Sequence, residues 1–480
     1  MKKQLFLLFA WLQFFQSWSQ QGTWVRSLAL TQYNYPASVW EINGGKFMVC
    51  GTCGSDLQVS SHCFLLVDST GNIIDSDLFG SQNYIEYNKN TYLDPIDSSY
   101  IVIGLTNQGL SFDYDIQVTK YSKQMQRLWS KQFGNTAWDS GLFIEGTGDG
   151  YILAGYVGDT ITNNTNAFLA KINLNGDLVW KNELDWGKNE EWKCVKLVSD
   201  GSLMTIGKKE YANGKFAELI GKFSMQGDSI WTDTFMLKEN SMGTYIEEIG
   251  ANELLLTGNS DITSDTATTD FGLIQKIDLN GQLVWHWEYE NFTANMIKQM
   301  TDGYLISVGA NTDGGFFDLE SLTLRMYFNG LFSNTGTVGG PGKQEAVWMQ
   351  KLYHGKGLIV LAENAFGSPE IHNMLLYKTD SIGAFDASND SAFISIGKEF
   401  SNSNSISLFP NPSHGRVTIT SNSNSSSDYC LYNETGALLL TGSFKEKTTL
   451  NLPDLPEGVY CLTLANKQGL FKKKLLITRL

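Results

Sequence analysis

The sequence is short of charge, of histidine and of long apolar runs. Only 18% of its 480 residues are Asp, Glu, Lys or Arg, while Gly reaches 47 and Trp 13. A chain rich in turn formers and aromatics but poor in charge leans all-β. Hydrophobic residues at 42% and aromatics at 12% provide enough to bury, so global disorder is excluded. Cations are the scarcer sign: 35 Lys+Arg stand against 50 Asp+Glu, a net −15. A surface of that sign repels phosphate backbones and anionic lipid, which argues against nucleic acid and membrane surfaces as partners. Length alone allows two to four domains, or one large all-β domain with a small companion.

Catalytic patterns are missing too. The five histidines are His62, His286, His354, His372 and His414. None forms a His-x-x-x-His pair, and no Gly-x-Ser-x-Gly elbow occurs. One apolar run exists, Gln4–Phe15, behind Lys2 and Lys3 and ahead of Ser17-Trp18-Ser19. It has the length of a signal-peptide core and is too short to span a bilayer with margin, so residues 1–19 are expected to be cleaved after Ser19. No cysteine directly follows this run, so a lipidated N-terminus is not expected, and with no other stretch near 18 apolar residues a soluble exported protein without a transmembrane segment is expected.

What the sequence does have is a repeat. A strand ending in glycine recurs at Gly51, Gly104, Gly155, Gly207, Gly258 and Gly309, with Ala362 in the seventh slot; the steps are 53, 51, 52, 51, 51 and 53. A hairpin follows each at a similar offset, as in FLAKINLNGDLVW (168–180) and GLIQKIDLNGQLVW (272–285). Its turn glycines Gly176, Gly227, Gly281, Gly330 and Gly383 step by 51, 54, 49 and 53. Each copy holds four strand-like runs joined by Asp-Gly, Asn-Gly or Gln-Gly turns, which supply the positive φ of tight hairpins. Seven four-stranded antiparallel copies predict a seven-bladed β-propeller. The stretch Gly22–Leu28 matches the fourth strand Gly176–Leu184 yet precedes the first copy, whereas the last copy lacks a fourth strand. The N-terminal strand is therefore expected to complete the last blade and close the ring, removing two open edges.

Trp24, Trp129, Trp180, Trp231 and Trp285 share one repeat position. They could form a ring of stacking platforms, but repetition at equivalent sites favours packing between blades. A basic residue recurs at Lys120, Lys171, Lys222, Lys276, Arg325 and Lys378. A stem laid on the neighbouring Trp with its ammonium in water is the expectation there, rather than an anion site. Among six cysteines, Cys53 and Cys63 flank one loop and Cys430 and Cys461 lie on two strands near the C-terminus; both pairs are candidate disulfides in an oxidising compartment. Cys50 reads as core, and Cys194 lies too far round to meet it. The hairpin NLNGDLVW resembles the Asp-box of sialidases with one residue too many between Gly and Trp, and Arg26, Arg127 and Arg325 are spread over strands rather than convergent. No vicinal cysteines could bracket a quinone. The Asp-rich loops 261–270 and 312–314 lack calcium-loop spacing and read as solvated turns, so no cofactor or metal is expected and calcium is the one ion to consider.

The C-terminal end changes composition. A polar spacer, Ser401–Ser405, precedes about 75 residues of short strands separated by turns at 433–436 and 456–458. They contain Phe409-Pro410-Asn411-Pro412, Gly415, the run Tyr432–Gly436, Gly458-Val459-Tyr460 and a terminal strand Lys473-Lys474-Leu475-Leu476-Ile477. In order and position these resemble the type A C-terminal sorting domain of the type IX secretion system of Bacteroidetes. The resemblance covers residues 406–480 and implies passage across the inner and then the outer membrane. It also implies removal of the tail and a cargo that is released or attached to the cell surface.

Together these readings predict a signal peptide (1–19), a seven-bladed propeller (20–395), a linker (396–405) and an immunoglobulin-like sorting domain (406–480). The missing catalytic set predicts a monomeric binding module for a glycan, a protein or a surface component, with the secretion machinery as its other partner. The alternative is a polysaccharide hydrolase or lyase. Charge divides between the parts: 406–480 carries 8 Lys+Arg and 5 Asp+Glu, so the acidity belongs to the propeller and points to neutral or cationic partners.

Overall fold

The computed structural model describes residues 23–380 and 406–478, less the interior positions 44, 57–58, 81–84, 108–113, 136, 236, 238–239, 251, 264–267, 313–319, 339–342, 354–356, 367–370, 412, 422–425, 433–437, 453–454 and 467–468. The expected signal peptide, the linker and Gly383 lie outside these residues. Every regular element described is a strand, and no helix among the described residues is long and apolar enough to cross a membrane.

The strands fall into antiparallel units of four. Six are contiguous in sequence, within 33–79, 85–133, 140–184, 190–235, 241–290 and 296–338. The seventh joins Lys343–Lys351, Leu358–Phe366 and Ile371–Lys378 to Trp24–Leu28, which pairs antiparallel with Ile371–Lys378 in the register Trp24↔Lys378 to Leu28↔Met374. Units seven, one and two touch through single parallel bridges, Tyr33↔His372 and Ser60↔Ile85. The result is an all-β, propeller-like repeat.

Burial along a unit explains its sequence pattern. Second strands are covered on both faces, and all eight residues of Tyr100–Asn107 are buried. Such strands read as continuous apolar runs. Fourth strands are outermost: Leu178–Leu184 is exposed or half-buried throughout. Their alternation is correspondingly polar.

The recurring glycine has a steric cause. In each first strand an extra residue is inserted opposite it, a β-bulge, as at the shifts Asn88/Asn90 and Trp192/Cys194. The bulge pushes a carbonyl against the second strand. A Cβ added at Gly104 would lie 1.7 Å from the Tyr87 oxygen, at Gly207 1.8 Å from Glu191, and at Gly309 1.6 Å from Thr293.

The recurring tryptophan packs on the next unit. Trp24, Trp129, Trp180, Trp231 and Trp285 lie against the hairpin glycines Gly71, Gly176, Gly227, Gly281 and Gly330, where an added Cβ would approach the rings to about 2.7–2.9 Å. Three of the indoles donate to a turn carbonyl of that next hairpin: Trp24 to Ser69 (2.9 Å), Trp129 to Leu174 (3.2 Å) and Trp180 to Met225 (3.0 Å). In the fifth unit Trp287 makes the equivalent bond, to Asn329.

The C-terminal residues form a three-stranded sheet (Ile406–Phe409, Arg416–Ser421, Lys447–Asn451) and a four-stranded one. Val417, Ile419, Leu431, Leu450, Leu462, Leu464 and Leu475 share their own core.

Candidate functional site

The bulges place one residue per unit on a common wall. They are Ala37, Lys89, Leu142, Lys193, Thr244, Asn295 and Val347. A bulged residue drops out of the ladder and its side chain is re-aimed. All seven line one cavity of about 300 Å³. The residues at this position differ from unit to unit, unlike the glycine and tryptophan set by packing.

The residues after the bulges, among them Phe143, Tyr245, Met296 and Trp348, form the waist of this cavity and separate it from a second one of about 200 Å³. The Phe143 ring sits 6.1 Å from Tyr245 and 6.2 Å from Trp348, with Trp40 a further 5.7 Å from Trp348. These aromatic contacts stiffen the waist.

Beyond it the charges are matched. Lys196 Nζ lies 3.0 Å from Glu145, and Lys298 Nζ lies 2.6 Å from Glu247 and donates to the Tyr245 hydroxyl at 2.8 Å. Burial works against the Lys196 ammonium, but Glu145 and its neighbours outweigh it and hold the pKa above the ordinary lysine value. For Lys298 burial prevails and the pKa falls below it, although Glu247 opposes. Burial pushes the Tyr245 phenol well up, so it stays neutral and bonded. This network is satisfied internally and reads as a plug.

On the other side of the waist the charges are not matched in the same way. Glu345 accepts a bond from Asn295 Nδ2 at 2.7 Å. Glu345 stands directly across the ladder from Glu363, whose Oε1 is 2.6 Å from His372 Nδ1. The His372 ring in turn lies 4.5 Å from Tyr35. Burial first, and then the like charge of Glu363, raise the Glu345 carboxyl above its usual value. Lys89 and Lys193 face the cavity exposed, and neither has a carboxylate within ion-pair distance among the described residues. Burial by the surrounding wall and then the charge of Lys193 lower the Lys89 pKa, with Glu363 opposing.

The residues that sequence reasoning singled out lie elsewhere. The basic position on the third strands forms a clamp in units two to six, not a ring of solvated ammonium groups. Lys120 pairs with Asp97 (2.9 Å), Lys171 with Asp149, Lys222 with Asp200, Lys276 with Glu253 and Arg325 with Asp302 (2.8 Å each). Four partners belong to the connection between first and second strands and Glu253 opens the second strand, so the expectation of water around the ammonium is corrected: an acid there takes its place. Cys53 and Cys63 form a disulfide across the second and third strands of unit one. Cys50 and Cys194 are buried. Cys430 stands opposite Thr463 and Cys461 opposite Tyr432 on adjacent strands, and the Cys461 side chain lies outside the described residues. His62 is buried against the Tyr121 hydroxyl at 2.9 Å and His286 lies on an outer strand. Among the described residues no group of three potential ligands could hold a metal ion.

In the C-terminal part, the Asn411 side chain accepts the Leu476 N–H at 2.9 Å, tying the Pro-Asn turn to the terminal strand. Gly415 has φ +94°, and the Leu452 N–H bonds its carbonyl. Gly458 pairs with Ile477, and Tyr460 donates its hydroxyl to Pro456. Lys473 and Lys474 sit on the last strand opposite Leu462 and Cys461. Pro410 is exposed, and Pro412 and Gly436 lie outside the described residues.

The cavity was not legible beforehand because its residues do not repeat. The signal that could have found it is the position 13–15 residues before each recurring glycine (Ala362 in the seventh copy), read as a column.

No curated protein matches the chain. Solved structures that resemble it include the β-propeller domain of the trilobed protease of Pyrococcus furiosus, at 9% identity and a TM-score of 0.40, covering 77% of this chain and 100% of that one. Prolyl oligopeptidase B of Galerina marginata has 9% identity and a TM-score of 0.40, covering 91% and 56%. The sialidase of Trypanosoma rangeli has 8% identity and a TM-score of 0.39, covering 95% and 87%. Residues 407–478 match the family described as the secretion system C-terminal sorting domain. The chain thus carries a type IX sorting domain behind a β-propeller-like repeat, and the protein is secreted or held at the outer-membrane cell surface.

Proposed function

We propose that the seven units close into a seven-bladed ring fastened by Trp24–Leu28, and that this ring is a monomeric recognition module for an extracellular glycan, protein or surface component. The sorting domain, read as an immunoglobulin-like sandwich, delivers it through the secretion machinery. One observation supports the binding role above others: the seven bulge residues meet at one cavity, and their chemistry varies from unit to unit. Structural positions of a repeat stay alike, so variation at a converging position is what a ligand site needs. The test is retention and cleavage of a glycan and polysaccharide panel by the purified protein. Retention without cleavage is the expected outcome, and cleavage of any polymer overturns the binding role.

A second reading has its own observation. Glu345 and Glu363 face each other across one ladder, with His372 on Glu363. Paired carboxylates are the equipment of glycosidic bond cleavage. Under a hydrolase or lyase reading, E345Q and E363Q would each abolish cleavage while leaving retention in place.

A further inference from the structure

We infer that the ligand of the bulge-ring cavity carries an oxyanion, a carboxylate or a phosphate, seated between Lys89 and Lys193, with a ring-sized body against Phe143 and Trp348. This rests on the reading of the cavity as the binding seat and names the chemistry it takes; at this wall the local charge of Lys89 and Lys193 replaces the neutral or cationic partner that net charge alone suggests.

The first support is the pairing pattern of the cations. On the third strands Lys120, Lys171, Lys222, Lys276 and Arg325 each hold an acidic partner at 2.8–2.9 Å. Beyond the waist Lys196 and Lys298 do the same. Lys89 and Lys193 depart from this in a protein with 50 acidic residues to choose from. Glu345, on the same cavity wall, is held by Asn295, and Glu363 is held by His372; both act on the two lysines across the space without forming an ion pair with either.

The second support is position. Both lysines are bulge residues, so the backbone itself aims them at the cavity. Both remain exposed to it and reachable. Two ammonium groups facing one walled space repel each other, and Lys193 already depresses Lys89. An anion between them removes that repulsion and forms charge-assisted hydrogen bonds. The aromatic waist offers a flat apolar floor, and about 300 Å³ sits at the small end of ligand pockets. A monosaccharide-sized molecule fits that space.

The test compares three probes with one skeleton: glucuronate, glucose 6-phosphate and glucose, titrated calorimetrically into the full chain. Either anion, or both, binds one per chain, and glucose binds at least about 10-fold more weakly. Which anion wins identifies the group as carboxylate or phosphate. K89Q and K193Q each weaken the anion about 10-fold, whereas K181Q, on an outer strand, leaves it unchanged. Added salt weakens the anion and spares glucose. Melting temperatures check that the variants fold. Equal binding of glucose and both anions overturns the inference, and so does wild-type affinity in the K89Q/K193Q double variant. So does the absence of anion binding at millimolar concentration. A neutral glycan retained by the wild type, lost in W348A and untouched by K89Q/K193Q would keep the cavity as the seat while removing the oxyanion. If no probe or glycan responds to W348A, the seat itself is wrong.

Discussion

Trp24, on the first described strand of the chain, lies against Gly71 in the first unit's hairpin and donates its indole N–H to the Ser69 carbonyl at 2.9 Å. Trp180 stands in the same relation to Gly227 and Met225, between units three and four. The contact that joins the seventh unit to the first is thus the contact that joins consecutive units, although its two halves come from one end of the array. Trp24 is 5% exposed, the most buried of the five recurring tryptophans.

Removing it should therefore cost more than removing its counterparts. W24A is expected to lose about 3–5 kcal/mol, the range for a buried aromatic truncated to Ala. G71A should lose about 1–3 kcal/mol, because its φ of +89° is strained for Ala and the new Cβ would meet the Trp24 ring at 2.8 Å. Urea unfolding followed by tryptophan fluorescence measures both, and W129A provides the comparison for a half-buried site.

The repeat was legible in the sequence for the same reason that these contacts recur. Gly104 and Gly207 have no room for a Cβ, and Trp129 and Trp180 have one partner surface each, so physics enforces the same residue at each copy. The sorting domain was legible because turn residues such as Asn411 and Gly415 hold specific backbone bonds. The cavity was not, because Ala37, Lys89 and Leu142 answer to no shared packing demand. The basic column is legible in position but not in surroundings: periodicity locates Lys171 and Lys222, whereas the carboxylates of the Asp-Gly turns come within reach of them only once the strands lie side by side.

Glu218 should make stability depend on pH. It is fully buried, receives a bond from Gln275 of the next unit, and has an Oε1 without a hydrogen-bond partner. Burial pushes its carboxyl from 4.5 up to about 7, with the Gln275 bond opposing. In the folded state the neutral form is favoured, so its contribution is full below about 4.5 and is lost as pH rises to about 7. The loss amounts to about 3 kcal/mol over that window. E218Q keeps an amide partner for Gln275 and should abolish this fall. Unfolding free energies of wild type and E218Q at several pH values check it: the difference curve should change between pH 4.5 and 7 and stay flat above.

His62 should act in the opposite direction. Burial lowers its pKa from 6.5 to about 4, with Glu86 opposing. Stability tied to the neutral ring is present above 6.5 and falls as pH drops towards 4. H62Q should remove that acid-side loss, so the melting temperature of the variant should fall less than that of wild type between pH 6.5 and 4.

Asp200 tests the clamp. Burial opposes its charge, but Lys222 at 2.8 Å and Ser202 outweigh it and hold the carboxyl at about 2. Its stabilisation is present above 3.8 and lost as pH falls through about 2. The carboxylate is 37% exposed, so solvent screening reduces the value of the pair to about 1 kcal/mol or less. D200N should lower stability by that amount at neutral pH. K222M should cost more, because Lys222 also donates to the Leu279 carbonyl of the following unit.

Asn411 tests the sorting domain. N411A removes the acceptor of the Leu476 N–H and unties the Pro-Asn turn from the last strand. Surface display or release should fall, with protein accumulating in the periplasm as it would on deletion of 406–480. Cell fractionation reads the outcome, and a normally exported N411A would show that this bond is dispensable for sorting.

The cavity ringed by bulge residues is the central claim, and an occluding substitution tests it most directly. Leu142 faces the cavity from a bulge and no residue of the adjacent strand pairs with it, so L142W fills the space without touching the ladder. Retention of the panel member held by the wild type should be lost in L142W at an unchanged melting temperature. Retention equal to wild type, or no ligand held by the wild type at all, would contradict the account.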